Sequence, residues 1–342
     1  MIQRLSPDEI DMVLSFIDKP LLTAISLSNT NKKLYYKMQY ITELEDNVTI
    51  LYNADNIDKK YIFSSLITKA SIENLNLLFN IYNYKHINTL IAKNTNITDT
   101  MMRYNLKHLI HLDVSNCNMI TDKAFSGLRN IQTLNISDCQ FIEGKCFKRL
   151  PHMTKLTMSG CGFIKSKNFK YLKSLVYIDM SYCNQLDGNV VFPYLHNVEY
   201  CNINGCIQTS FYSALLTCMT RLKSLSMEYC NNINPDIFRI KDDLEYVNIS
   251  HCNFIPNYIL IYLSNAKSIH INYCNKDAID KYYLKHIMNA QELSIMGNYD
   301  ISLSVCKLLD RKIKKFRCSK LHEKSSGIIV KIKNAIESMK MV

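Results

Sequence analysis

Residues 109–122 read LIHLDVSNCNMITD, and this stretch decides the fold. Leu109, Leu112, Val114 and Cys117 stand at places one, four, six and nine. Places four and six flank a polar residue, so in an extended segment they share one face and their neighbours take the other. That is a short strand with one buried side, followed by a turn at the Cys. The frame returns at Ile131, Leu134, Ile136 and Cys139, and again at Met153, Leu156, Met158 and Cys161. It continues to Cys183, Cys206, Cys230, Cys252 and Cys274, the steps between the eight cysteines being 22, 22, 22, 23, 24, 22 and 22 residues. Flanking copies carry Thr95 and Asn298 where the thiol would stand, and a degraded eleventh copy runs from Ile313 through Phe316 to Cys318.

A second apolar group follows each turn. Ile120, Ile142, Ile164, Leu186, Ile233 and Ile255 lie three residues past the Cys, and Phe125, Phe147 and Phe169 lie eight past it, which suits a helix packed behind the strand. One strand and one helix in 22 to 24 residues cannot bury an apolar face alone, so neighbouring units must stack. With the literal pattern L-x-x-L-x-L-x-x-C-x-x-I-T-D, the units resemble the cysteine-containing leucine-rich repeat. The resemblance implies an α/β fold: a leucine-rich-repeat solenoid with a curved parallel sheet and helices on the convex side. It covers residues 87–322. Thr209 and Asp277 replace the post-turn isoleucine in later units. Residues 323–342 are expected to form a capping helix, with Ile328, Ile332, Ile336 and Met339 on one face. Residues 41–86 are expected to be an irregular connector, because Leu75 imitates the frame but lies only 15 residues before Leu90.

Composition narrows the functional classes. The 342 residues are 47% hydrophobic and 21% charged, the balance of a chain that folds around a core. No apolar run reaches the roughly 18 residues of a membrane span, and residues 1–12 lack the apolar stretch of a signal peptide. Thirteen cysteines, an odd number neither paired nor clustered, argue against a disulfide framework and for a cytoplasmic or nuclear protein. No C-x-x-C occurs and only His108 and His111 of the histidines lie close together, so no metal or other cofactor is expected. Each ladder Cys is expected to be a small buried residue whose sulfur meets backbone groups. With eight glycines, no G-x-S-x-G and no phosphate-binding loop, the chain is not expected to be an enzyme and no catalytic residue is assigned.

Residues 1–40 differ in kind. Pro7 opens a segment with Ile10, Val13, Leu14 and Ile17 on one helical face, interrupted at Asp18 and Pro20 before Leu21, Leu22 and Ile25. Residues 5–35, LSPDEIDMVLSFIDKPLLTAISLSNTNKKLY, resemble an F-box, with Ser6 inserted, a shortened link after Asp18, and Leu34 or Tyr35 where tryptophan is common. The resemblance implies docking on a Skp-type adaptor of a cullin ubiquitin ligase, with Leu5, Pro7, Ile10, Leu14, Leu21, Leu22 and Leu34 making or supporting the contact. A plain helical cap over the first repeat is the alternative.

The residues between the buried strand places are expected on the concave side, and these form the candidate partner surface. His111, Asp113, Tyr177, Asp179 and Glu228 belong to it, and Tyr182, Tyr200, Tyr229, Tyr246 and Tyr273 fall at or beside it. Tyrosine offers large contact area with a polar end. Lys145, Lys148, Arg149, Lys165, Lys167, Lys170 and Lys173 fall after the turns instead, so the formal charge of +11 does not by itself make a nucleic-acid reader. The expectation is a substrate receptor of a Skp-cullin-F-box ligase that holds a target protein on the concave face, in a host's cytoplasm if pathogen-encoded. The alternatives are a repeat scaffold without a ligase and a basic nucleic-acid-binding solenoid.

Overall fold

A computed structural model describes residues 88–102, 106–207, 218–231, 238–239, 243–253, 255–274, 279, 281–298 and 301–319, with the backbone of two earlier strands. The F-box-like residues 1–40 and the expected capping helix at 323–342 lie outside the described residues, as do Thr209, Ile233 and Asp277. The chain divides into two units, residues 1–174 and 175–342.

In the first unit the strands are β1 (Thr49–Tyr52), β2 (Lys69–Ile72), β3 (Thr89–Ile91), β4 (His111–Asp113), β5 (Thr133–Asn135) and β6 (Lys155–Thr157). Each pairs in parallel with the next. The register sets Leu90, Leu112, Leu134 and Leu156 side by side, the fourth place of four successive repeats. All four are buried, and the residues on either side of each are not. The sheet also reaches into the segment expected to be an irregular connector. There Ala70, not Leu75, is the partner of Leu90, so this step is 20 residues and the apolar spacing around Leu75 was a chance imitation of the frame.

The second unit repeats the arrangement with β7 (Tyr177–Asp179), β8 (Tyr200–Asn202), β9 (Ser224–Ser226), β10 (Tyr246–Asn248), β11 (Ser268–His270), β12 (Glu292–Ser294) and β13 (Lys315–Arg317). Pairing is again parallel and sequential. Phe316 is the register partner of Leu293, which makes β13 the eleventh copy of the frame.

The segments behind the strands are shorter than ordinary helices. Asp122–Phe125, Lys145–Arg149 and Ser166–Tyr171 are 3₁₀ helices, and of the described helices only Leu303–Lys312 reaches ten residues. A repeat of about 22 residues leaves few to carry the chain back to the next strand, and a 3₁₀ helix, rising about 2.0 Å per residue against 1.5 Å, spans more with the same number. Phe125, Phe147 and Phe169 are fully buried in this layer, with Phe147 and Phe169 edge to face at 6.4 Å. Burying each such ring is worth about 1.5–3 kcal/mol. The seven lysines and arginines expected on the far side from the strands do follow the turns and are exposed there.

Candidate partner-binding surface

The surface rests on the ladder of thiols. Cys117 donates its S–H to the Ala92 carbonyl at 3.0 Å, Cys139 to Val114 at 3.1 Å and Cys161 to Ile136 at 3.0 Å. In the second unit Cys206 donates to Met180 at 3.3 Å, Cys230 to Ile203 at 3.3 Å, Cys252 to Met227 at 3.0 Å and Cys274 to Ile249 at 3.3 Å. Each acceptor is the sixth place of the preceding repeat, so one repeat satisfies a carbonyl of another where water cannot reach. Asn298 keeps the bond with an amide, Nδ2 donating to the Ile271 carbonyl at 2.6 Å. Burial pushes the Cys139, Cys161 and Cys206 thiols up to about 12 and Cys274 up to about 11. They are protonated donors with no thiolate to offer a metal or an electrophile, and among the described residues no cluster of His, Cys, Asp or Glu is arranged to hold a metal. All thirteen cysteines are free, Cys183 being buried like its neighbours in the series.

One place earlier the backbone enters the left-handed region in ten described repeats, at Asn94, Asn116, Asp138 and Gly160 in the first unit and at Tyr182, Gly205, Tyr229, His251, Tyr273 and Gly297 in the second. The turn keeps the N–H aimed at the next repeat: Asn116 donates to the Ser137 carbonyl at 2.7 Å and His251 to the Asn272 carbonyl at 2.7 Å. Glycine, asparagine and aspartate reach this conformation readily, whereas a tyrosine or histidine there costs about 1 kcal/mol. Sequence reasoning missed this eighth place. Aligned as a column, its glycines, asparagines and aspartate were the available signal.

The costly residues form a row of rings. Tyr229 stacks on His251 at 4.5 Å with planes 12° apart, and His251 stacks on Tyr273 at 4.9 Å and 15°. The Tyr273 ring lies over Gly297, where an added Cβ would come within 2.2 Å of it, and the Tyr182 ring lies over Gly205 in the same way at 2.4 Å. Tyr182, Tyr229 and Tyr273 therefore stand on the turn beside the sheet rather than on the strands, and they are exposed by 55%, 46% and 52%. Tyr177, Tyr200 and Tyr246 are on the strands. Tyr177 stacks with Tyr200 at 6.5 Å, and Tyr246 meets His270 at 5.3 Å.

The strand carboxylates have local duties as well. Asp113 accepts from the Ser115 N–H at 3.0 Å and hydroxyl at 2.7 Å, and Asp179 does the same with Ser181 at 3.0 and 2.6 Å. These are side-chain-closed turns that shape the approach to the left-handed place. Glu228 accepts from the Asn248 amide. Burial pushes the Tyr246 hydroxyl up, an effect that the Asn248 hydrogen bond opposes and the charges of Glu228 and Glu292 reinforce. Burial pushes the His270 imidazole down, with Glu292 acting against it. His111, also expected on this face, is exposed on β4 and shares a 2.8 Å hydrogen bond with Thr133. The structure thus brings Tyr229, Tyr246 and Tyr273 with Glu228 into the second unit's surface, while His111 and Asp113 belong to the first unit's.

The Leucine Rich repeat family model matches residues 105–125. No curated protein matches the chain. Among solved structures the chain is similar to an internalin (inlF) from Listeria monocytogenes str. 4b F2365, at 18% identity and a TM-score of 0.52 over 72% of this chain and 77% of that one. It is also similar to a chain of the TLR13–ssRNA13 complex, at 18% identity and a TM-score of 0.56 over 70% of this chain and 38% of that one. A chain of the mouse RP105/MD-1 complex gives 19% identity and a TM-score of 0.55 over 72% and 45%. The chain spans less than half the length of the latter two. Identities at this level speak to architecture, and together with the sequential parallel strands they define the class: the chain has the leucine-rich-repeat solenoid fold.

Proposed function

We propose that the chain is a non-catalytic protein-binding module that captures a target on the open face of its strands, within a reducing compartment such as cytoplasm or nucleus. The observation that carries this reading is the tyrosine surface of the second unit, where Tyr182, Tyr200, Tyr229 and Tyr273 stay exposed although three of them occupy a backbone place that disfavours them. Exposed rings held rigidly lose little entropy on docking and bring large contact area. From β7 to β12 the places that carry these rings hold no Lys or Arg, which speaks against a nucleic-acid reader, since that needs cations and stacking rings on one surface.

The finer reading, a substrate receptor of a Skp-cullin ligase, is supported by the order of residues in the 5–35 segment. In it Leu5, Pro7, Ile10, Leu14, Leu21, Leu22 and Leu34 moor the chain to the adaptor, and another subunit transfers ubiquitin to the captured protein. The contribution of this chain is proximity and orientation. The test is co-purification with a Skp-type adaptor. Leu5→Ala with Pro7→Ala is expected to abolish adaptor recovery while the circular dichroism of the repeats is unchanged. Unchanged recovery removes the ligase reading and leaves the capture module.

A further inference from the structure

Places three, five, seven and the left-handed eighth alternate with or follow the core places, though Ser181, Asn248, Ser250 and Ser294 among them are buried. From β7 to β12 these places hold Tyr177, Tyr182, Tyr200, Tyr229, Tyr246 and Tyr273, with His251 and His270 and the carboxylates Asp179, Glu228 and Glu292. None of them is Lys or Arg, in a chain whose formal charge is +11; in this unit cations stand at these places on β13, as Lys315 and Arg317. Two other acids of this unit are neutralised at close range, Glu199 by Lys223 at 2.8 Å and Glu245 by Lys267 at 3.1 Å. Among the described residues Glu228 has no such ion pair and accepts a hydrogen bond from Asn248, which leaves its charge in place, whereas Glu292 accepts one from Ser268 and has Lys315 as its register partner on β13. Between Glu228 and Glu292 lie the rings of Tyr246 and His270, and beside these runs the Tyr229–His251–Tyr273 stack.

From this pairing of flat rings with the Glu228 carboxylate, on strands β7 to β12 that carry no Lys or Arg at these places, we infer that the protein docked here presents arginine side chains. This deepens the capture reading and rests on it. A guanidinium is planar, so it stacks on an aromatic face, and its fork of N–H groups meets a carboxylate two bonds at a time. A lysine ammonium can do neither as well, being compact and strongly hydrated. An acidic or phosphate-bearing partner would meet like charge on β7 to β12 and find cations at Lys315 and Arg317 of β13.

The test uses the full chain and fluorescence anisotropy with a labelled oligoarginine peptide and its oligolysine counterpart, at about 0.15 M salt so that remote charge is screened. The arginine peptide is expected to bind several-fold more tightly than the lysine one. Glu228→Gln with Glu292→Gln, which keeps the acceptors for Asn248 and Ser268, is expected to weaken it about ten-fold. Tyr229→Asn, which suits the left-handed backbone, is expected to weaken it about three-fold. Asp138→Asn on the other unit is the control and leaves binding unchanged. Equal affinity for the two peptides, indifference to the Gln pair, or displacement of the peptide by single-stranded RNA at this face overturns the inference. Should the arginine peptide fail while Tyr229→Asn still abolishes capture of the cellular target, the arginine assignment falls and the capture module stands.

Discussion

In the first unit the left-handed place is filled by Asn94, Asn116, Asp138 and Gly160, and the Asn116 amide simply reaches back to Asn94 at 2.9 Å. In the second unit four of six such places hold Tyr182, Tyr229, His251 and Tyr273. The backbone is the same in both, with φ between 54° and 73° at all ten places and a closing N–H bond to a carbonyl of the next repeat at eight of them. The demands of the fold therefore do not explain the difference. Each ring in the second unit costs about 1 kcal/mol of backbone strain, and each of the two stacked pairs returns about 0.5–1.5 kcal/mol, so the row offsets only part of its strain and is not kept for stability. What it changes is the surface: small polar groups on one unit, rings and carboxylates on the other.

The comparison breaks most severely if the buried ladder is not common to both units. Cys161→Arg in the first and Cys252→Arg in the second are each expected to lose about 4 kcal/mol or more in urea denaturation, because both place an unpaired charge where relative exposure is 0%. A mild effect in either unit would show that its thiol is not part of a shared frame. Gly297→Ala and Gly160→Ala come next, at about 1–2 kcal/mol each, since both put a Cβ on left-handed backbone. They also differ in what gives way, the Tyr273 ring in one and the Asp138 carboxylate in the other, so only the first is expected to alter near-ultraviolet dichroism.

Exchange at the eighth place sharpens the contrast further. Tyr229→Asn is expected to change stability by less than about 1 kcal/mol, relief of strain offsetting the lost stack, and a cycle with His251→Asn should show a coupling of about 1 kcal/mol. Asn116→Tyr, with no ring beside it, is expected to cost about 1 kcal/mol with no compensation. The last comparison is pH dependence. The thiols of Cys139, Cys161 and Cys206 are raised from 9.0 to about 12, so the unfolded chain loses these protons first as pH rises. Stability is expected to be complete below pH 9 and to decline between pH 9 and 12, through both units alike. A thiol reagent applied at pH 8 should accordingly leave the ladder unlabelled until denaturant is added.

The strands were legible in the sequence because burial of places one, four, six and nine is imposed on every copy, so Leu112, Leu134 and Leu156 repeat at fixed intervals. The β1 and β2 segments TILY and KASI follow a shorter step and carry no thiol, so nothing in their spacing announced them. The surface was half legible. Alternation placed Tyr177, Tyr200 and Tyr246 correctly on the strands, but it is blind to backbone handedness, so the row on the turn and its stacking through His251 did not show. Alternation also marked Asp113 and Asp179 as exposed without showing that each closes a turn.

Each ladder sulfur reaches backward to the copy before it, and its own sixth-place carbonyl waits for the copy after. Where the interval stretches to 23 and 24 residues, before Cys206 and Cys230, the bonds to Met180 and Ile203 still form at 3.3 Å. The slack falls outside the stretch from strand to sulfur. A gene built on this plan can gain or lose whole modules by duplication or excision, every splice meeting a ready-made joint, and the reach of the molecule becomes an inheritable length rather than a fixed design.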